Sequence, residues 1–348
     1  MKKTTKMKMV LIGLTCLMTA GMQADVFAED AVPTVKKVCK HFVMAEGIAA
    51  PAVTFSFTAD KVTEDAPEAT IGTLTYSNAD TTTVENGLSS FDKEAEITFG
   101  TFPHTGLYEY TISETVGAGD GITYDTASYD LNVYVANNDD GNLEVQSITA
   151  EKDGEKQDEL SFTNTYRKNS SLKISKTTKG MYADKTKDFD FTIEFEKAAT
   201  ETNEVEFYTG KIGDETVDCK VGEETTFKLH DEESLVFENL PAGTRYVVKE
   251  VAAKDGYTPQ IKVVENGVEK AGTTVSESEG ISSAGTGTNL VGENENEVTF
   301  TNTYQDIALT GIVLHNWPFI ILIILAIGAL LLSKGIKVVN KNDKKNSL

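Results

Sequence analysis

Hydrophobic and polar residues alternate with a period of two along most of the chain. Tyr129-Asp130-Leu131-Asn132-Val133-Tyr134-Val135 and Phe189-Asp190-Phe191-Thr192-Ile193 place an apolar side chain at every second position. That is the pattern of a strand with one face buried. Phe55-Ser56-Phe57 and Leu172-Lys173-Ile174-Ser175-Lys176 read the same way. Asp140-Gly141 predicts a tight hairpin turn. No long amphipathic helix interrupts the pattern. The expectation is an all-β fold of two sandwiches in series, with a short link near Arg167 to Ser171. Residues 273–297, rich in Ser, Thr, Gly and Glu, read as one long surface loop of the second sandwich.

The two sandwiches read as copies of one unit. Phe-Thr-Asn-Thr-Tyr occurs at Phe162 to Tyr166 and again at Phe300 to Tyr304, a separation of 138 residues. Each copy opens with a lysine-bearing strand, Val38-Cys39-Lys40 or Leu172 to Lys176. Each later carries a Tyr-x-aliphatic-x-Glu strand, Tyr110-Thr111-Ile112-Ser113-Glu114 or Tyr246-Val247-Val248-Lys249-Glu250.

Three residue types recur in step. Lys40 to Glu114 is 74 residues, and so is Lys176 to Glu250; Glu114 to Asn164 is 50 and Glu250 to Asn302 is 52. Strand alternation places each on an apolar face: Lys176 with Leu172 and Ile174, Glu250 with Tyr246 and Val248, Asn302 with Phe300 and Tyr304. A charged group there is costly unless paired. Burial lowers a lysine pKa and raises a glutamate pKa, so the pair can exist as neutral amine and neutral acid. A neutral amine is a nucleophile. An asparagine Cγ becomes an electrophile once its oxygen accepts a hydrogen bond from the protonated glutamate. Attack would expel ammonia and leave a Lys–Asn isopeptide bond. The other reading of the same spacing is a buried, hydrogen-bonded cluster in which no bond forms.

Charge and the chain ends then narrow the function. The 348 residues carry a net charge of −22, which argues against a nucleic-acid partner. Residues 1–28 read as a signal peptide: Lys2, Lys3, Lys6 and Lys8 precede the apolar run Met9 to Ala20, and Val26-Phe27-Ala28 offers a cleavage site before Glu29. Residues 312–333 are long and apolar enough for a transmembrane segment, and residues 334–348 form a basic cytoplasmic tail with Lys334, Lys337, Lys341, Lys344 and Lys345. Between the two ends the body is strongly acidic and would not adhere to anionic lipid by charge. With the ends removed, only Cys39 and Cys219 remain, one in each half, so neither copy can form its own disulfide. His41, His104, His230 and His315 do not cluster in sequence, no metal-ligand spacing appears, and Gly280 to Ala284 only mimics a nucleophile elbow. Neither an enzyme with an external substrate nor a cofactor or metal is expected.

Ile307-Ala308-Leu309-Thr310-Gly311, residues 307–311, stands before the apolar segment. Followed by a span and a basic tail, it resembles a Gram-positive cell-wall sorting signal, with Ala308 in place of the usual proline. The first-strand apolar-x-Lys, the Tyr-x-aliphatic-x-Glu and the last-strand Phe-x-Asn are similar to the streptococcal-type major pilin family. The resemblance covers nearly all of residues 31–306. It implies two Ig-like, pilin/CNA-B-like β-sandwiches, 31–168 and 169–306. It implies cross-links Lys40–Asn164 and Lys176–Asn302, with Glu114 and Glu250 as proton shuttles; Lys36 and Lys37 lie close to Lys40 as other first-strand lysines. It implies cleavage between Thr310 and Gly311 by a pilin-specific sortase, and transfer of Thr310 to a lysine of the next subunit, Lys156 or alternatively Lys152. The function so implied is a pilus shaft subunit in a head-to-tail polymer of identical chains on the cell wall, with minor tip and base pilins and peptidoglycan as further partners. The membrane enters only through the C-terminal segment before processing. A monomeric wall-anchored adhesin or stalk is the other reading.

Overall fold

The computed structural model describes residues 34–251, 256–270, 280–284, 287–305, 321–327 and 329–330. The expected signal peptide 1–28, the expected sorting motif 307–311 and the expected basic tail 334–348 lie outside these residues. Of the apolar segment 312–333, residues 321–327 and 329–330 are described and are helical. Among the described residues no helix is long and apolar enough to cross a membrane.

The body is all-β, as the alternation predicts. In the first half, Lys37–Ala45 lies between Leu88–Phe99, antiparallel to it, and Leu160–Tyr166, parallel to it. A second sheet places Gly106–Glu114 between Ser128–Asn137 and Phe57–Lys61, with Leu143–Lys152 and Glu155–Gln157 beyond. The inner faces meet in one core that joins Phe42 and Phe162 of the first sheet to Tyr110, Leu131 and Ile148 of the second. The second half repeats the plan. Asn169–Lys179 is antiparallel to Ser234–Pro241 and parallel to Glu297–Tyr304. Arg245–Glu250 pairs with Phe189–Glu196 in the facing sheet. A separate core there joins Ile174, Phe191, Phe237, Val248 and Phe300.

Burial follows sequence parity. Leu160, Phe162, Asn164 and Tyr166 are all buried, and the residues between them are not. The same alternation holds along Ser128–Asn137 and Phe189–Glu196. Asp140-Gly141 does sit in the turn between Ser128–Asn137 and Leu143–Lys152, with Gly141 at φ 79°. The turn is wider than two residues. The side chain of Asn138 accepts the amides of Asp140 and Asn142, so five residues close it.

The expected surface loop at 273–297 is corrected where the chain is described. Ile281–Ser282 and Asn289–Leu290 are short strands that pair with Arg245–Glu250. Ile281 and Val291 are buried in the second core. Asn296 accepts the amides of Asn266 and Gly292 and donates to Ser171 O, which stitches the segment down despite its polar composition. Ser283 exchanges hydrogen bonds with Val248, which explains its place in the sequence without a nucleophilic role.

Where the halves meet, Ala242 and Leu290 of the second pack on the first core. Arg245 bonds Glu46 at 3.2 Å, and Arg167 bonds Glu201 at 2.7 Å. Gly243 there has φ 98° and lies directly against Ala45, so a side chain would be both strained and obstructed.

The core makes one prediction. Phe42 has no exposed surface and meets the rings of Phe55, Tyr76 and Tyr166 with centroids 5.2, 5.7 and 6.2 Å away. Phe42→Ala removes a whole ring from this cluster and should cost about 3–5 kcal/mol. Denaturant unfolding in an Asn164→Ala background, where no covalent tie can form at that site, measures it. An unchanged midpoint would contradict the packing.

Candidate functional site: two buried Lys–Glu–Asn clusters

Strand register brings the three predicted residues together in both halves. Lys40 lies opposite Phe162 and Phe42 opposite Asn164 on the parallel pair. Lys176 lies opposite Phe300 and Thr178 opposite Asn302. In each half the asparagine therefore faces the residue two positions beyond the lysine, on the same side of the sheet. The glutamate comes from the facing sheet. Glu114 ends its strand opposite Phe57, and Glu250 ends its strand opposite Phe191.

In the first cluster Lys40 Nζ donates to Glu114 Oε2 at 3.0 Å, and Asn164 Nδ2 donates to Glu114 Oε1 at 2.5 Å. Lys40 also reaches the carbonyl of Phe162 at 3.4 Å. The oxygen of Asn164 accepts the main-chain amide of Asp125 at 2.7 Å. In the second cluster Lys176 Nζ donates to Glu250 Oε1 at 2.8 Å and Asn302 Nδ2 to the same oxygen at 2.5 Å. Glu250 Oε2 and Asn302 Oδ1 are buried with no partner among the described residues.

All six residues are buried. The surroundings are aromatic: Lys40 Nζ stands 4.8 Å from the Phe55 ring centre, and Lys176 Nζ 4.0 Å from that of Phe189. Burial lowers both lysines to about 8, against the upward pull of their glutamates. Burial likewise raises Glu114 and Glu250, against the downward pull of the lysines. Each pair is thus shifted toward neutral amine beside neutral acid, and the amine shares one carboxyl with the amide it would attack. The neighbouring lysines differ. Lys36 is exposed, and Lys37 bonds Glu94 at 2.8 Å on the outer surface.

One detail departs from the expected arrangement. In both clusters the glutamate meets the amide nitrogen of the asparagine and not its oxygen. The carboxyl is therefore placed to hand a proton to the leaving nitrogen. In the first half the oxygen is polarised instead by the Asp125 amide. Sequence reading did not find Asp125. The Asp125-Thr126-Ala127 string is a recognisable Asx-turn signal, with Asp125 Oδ1 accepting Ala127 N at 2.8 Å, but the contact to a strand 39 residues away leaves no local trace.

The remaining predicted residues stand apart from these clusters. Lys156 is exposed on the short strand Glu155–Gln157, opposite Glu151. Lys152 is half-buried, with its Nζ 5.3 Å from the ring centre of Tyr129. Thr310 and Gly311 lie outside the described residues. Cys39 and Cys219 are unbridged and buried.

Both halves match known domain families. Residues 33–167 match the model of the Spy0128-like isopeptide-containing domain, and residues 170–304 match a domain family of unknown function. A pilin of Streptococcus pyogenes serotype M1 is 27% identical over 267 residues, 74% of each chain. The pilus tip adhesin Cpa of S. pyogenes is 38% identical over 84 residues, 24% of this chain and 12% of the adhesin. Among solved structures, a major pilin of S. pyogenes is similar at 25% identity and a TM-score of 0.39, with 79% of this chain and 100% of that one covered. With a match to the Spy0128-like isopeptide domain in its first half and a pilin relative along three-quarters of its length, the chain is similar to streptococcal major pilins.

Proposed function

We propose that the chain is the shaft subunit of a sortase-assembled surface pilus, made of two tandem Ig-like sandwiches, 31–168 and 169–306, each closed by its own Lys–Asn isopeptide bond. The observation that carries this is the contact of lysine, glutamate and asparagine in both cores at the same strand register.

The bond-forming step balances within the three residues. Burial favours transfer of a proton from the lysine ammonium to the glutamate, leaving an amine and an acid. The amine attacks Cγ of the asparagine, and the C–N bond to Nζ forms. The glutamic acid gives its proton to Nδ2, and the surplus proton on Nζ returns to the carboxylate. The Cγ–Nδ2 bond breaks and ammonia leaves. Lys40 joins Asn164 and Lys176 joins Asn302, while Glu114 and Glu250, which start as carboxylates beside the ammonium, end as neutral acids. The core supplies proximity and keeps water from competing. Each chain reacts once at each site, so this is self-modification and not turnover on an external substrate.

In the assembled fibre, a pilin-specific sortase would cut between Thr310 and Gly311 after export by the 1–28 signal. The 312–333 segment and basic tail would hold the chain in the membrane until then. The Thr310 carboxyl would pass to Lys156 of the next subunit, an exposed amine on a hairpin edge, with Lys152 as the alternative. The products would be a head-to-tail polymer on the cell wall, with minor tip and base pilins and peptidoglycan as partners.

Two outcomes are expected. Wall extracts of cells carrying the chain and its sortase should give a ladder of covalent multimers on denaturing gels, which Lys156→Ala collapses to monomer. A single band from the wild type would instead indicate a monomeric wall-anchored adhesin. Glu114→Ala should abolish the first bond and leave Lys40 buried without its carboxylate. It should therefore unfold about 3–5 kcal/mol more easily than an Asn164→Ala chain, which also lacks the bond but keeps the ion pair. Equal denaturation midpoints for the two variants would contradict the role given to Glu114.

A further inference from the structure

The two asparagines are held differently. Asn164 is gripped on both sides of its amide: Nδ2 by Glu114 and Oδ1 by the main-chain N–H of Asp125 at 2.7 Å. That N–H is itself held in place. Asp125 Oδ2 accepts the amide of Thr163, the residue before Asn164, at 2.7 Å, and Oδ1 accepts the amide of Ala127 at 2.8 Å. Asp125 therefore clasps the Leu160–Tyr166 strand twice at adjacent residues, once through its carboxylate and once through its backbone. The contact at Thr163 is made from outside the strand, whereas the contact at Asn164 reaches a side chain with no exposed surface.

Attack on Cγ would turn the Asn164 carbonyl oxygen into an oxyanion. A donor already aimed at that oxygen at 2.7 Å stabilises the developing charge without having to reorganise. The neighbouring Glu114 cannot serve, because its two oxygens are occupied by Lys40 and by the leaving nitrogen. We propose that the Asp125 main-chain amide is the oxyanion donor for the first isopeptide bond, and that the Asp125 carboxylate is the positioning group that aims it by anchoring on Thr163. This rests on the bond formation argued above. It adds a fourth residue to the first site, one that no repeat or strand pattern marks.

The side chain of Asp125 acts only through the position of its own backbone, so the test must separate chemistry from folding. The full-length chain is made by cell-free translation in the presence of lipid nanodiscs. Samples are quenched in denaturant at intervals and digested, and the linear and branched peptides of both sites are counted by mass spectrometry. The second site in the same molecule is the internal control. Asp125→Ala keeps the main-chain donor but loosens its aim, so it should slow the first bond at least about tenfold, up to the limit of about 10²–10³ that loss of one such donor costs. The second bond should form at its wild-type rate. Asp125→Asn keeps one acceptor oxygen and should give an intermediate rate. Unfolding of the same variants in an Asn164→Ala background should show no loss large enough to account for the delay.

A first bond that forms at the wild-type rate in Asp125→Ala overturns the proposal. So does an equal slowing of both bonds, which would mean a general folding defect. If Asp125→Ala does not fold, Asp125→Asn decides: a several-fold delay confined to the first site supports the proposal, and a wild-type rate overturns it. Wild-type chains in which neither branched peptide ever appears would overturn the bond itself, a result distinct from bonds that form normally without Asp125.

Discussion

A lysine and a glutamate with no route to water, set in a wall of aromatic rings, form the interaction on which the rest of this molecule depends. Removing two such charges from solvent costs several kcal/mol each, and a well-packed apolar replacement is often just as stable. Non-covalent stability alone therefore gives a weak reason for the pair to occur once, and a weaker one for it to recur at the same register in a second core. The proposed conversion to an amide would resolve the difficulty. The lysine would lose its charge for good, the asparagine amide would stay an amide, and the glutamate would be left free to remain neutral in its apolar site.

The position of the cluster in the topology gives that chemistry its mechanical meaning. In both halves the first strand lies beside the last and parallel to it, so the two strands that bound each sandwich are neighbours. A tie from Lys40 to Asn164 closes a loop of 124 residues, and one from Lys176 to Asn302 closes a loop of 126. By the loop-entropy estimate used for disulfides, closing loops of that size stabilises by on the order of 5 kcal/mol each. The two cysteines are buried and unbridged, so among the described residues no disulfide does this work. Pulling on the ends of such a chain would load a covalent bond between adjacent strands before it could peel either strand from its sheet.

Much of this was legible in the sequence because strand periodicity is binary. Once Leu172 and Ile174 are inside, Lys176 must be inside too, and the same parity fixes Glu250 by Val248 and Asn302 by Phe300. The 138-residue echo of Phe-Thr-Asn-Thr-Tyr supplied the alignment of the two halves. Local pattern failed where tertiary contacts decide. The polar composition of residues 273–297 hides Ile281 and Val291, two residues whose burial turns part of an apparent surface loop into strands on the second core. Asp125 was invisible because its partner is a side chain 39 residues later in another strand. The orientation of each asparagine amide, nitrogen toward the glutamate, is set by hydrogen bonding in the assembled core and has no one-dimensional signature.

The central claim is that both clusters become covalent bonds, and the intact mass of residues 29–310 tests it most directly. Each bond expels one ammonia, so each should remove about 17 Da. The account predicts a deficit of twice that value, halved by Asn302→Ala and halved equally by Asn164→Ala. A mass equal to that of the unmodified sequence would contradict it, and would leave the two Lys–Glu–Asn sets as buried polar clusters in an all-β protein.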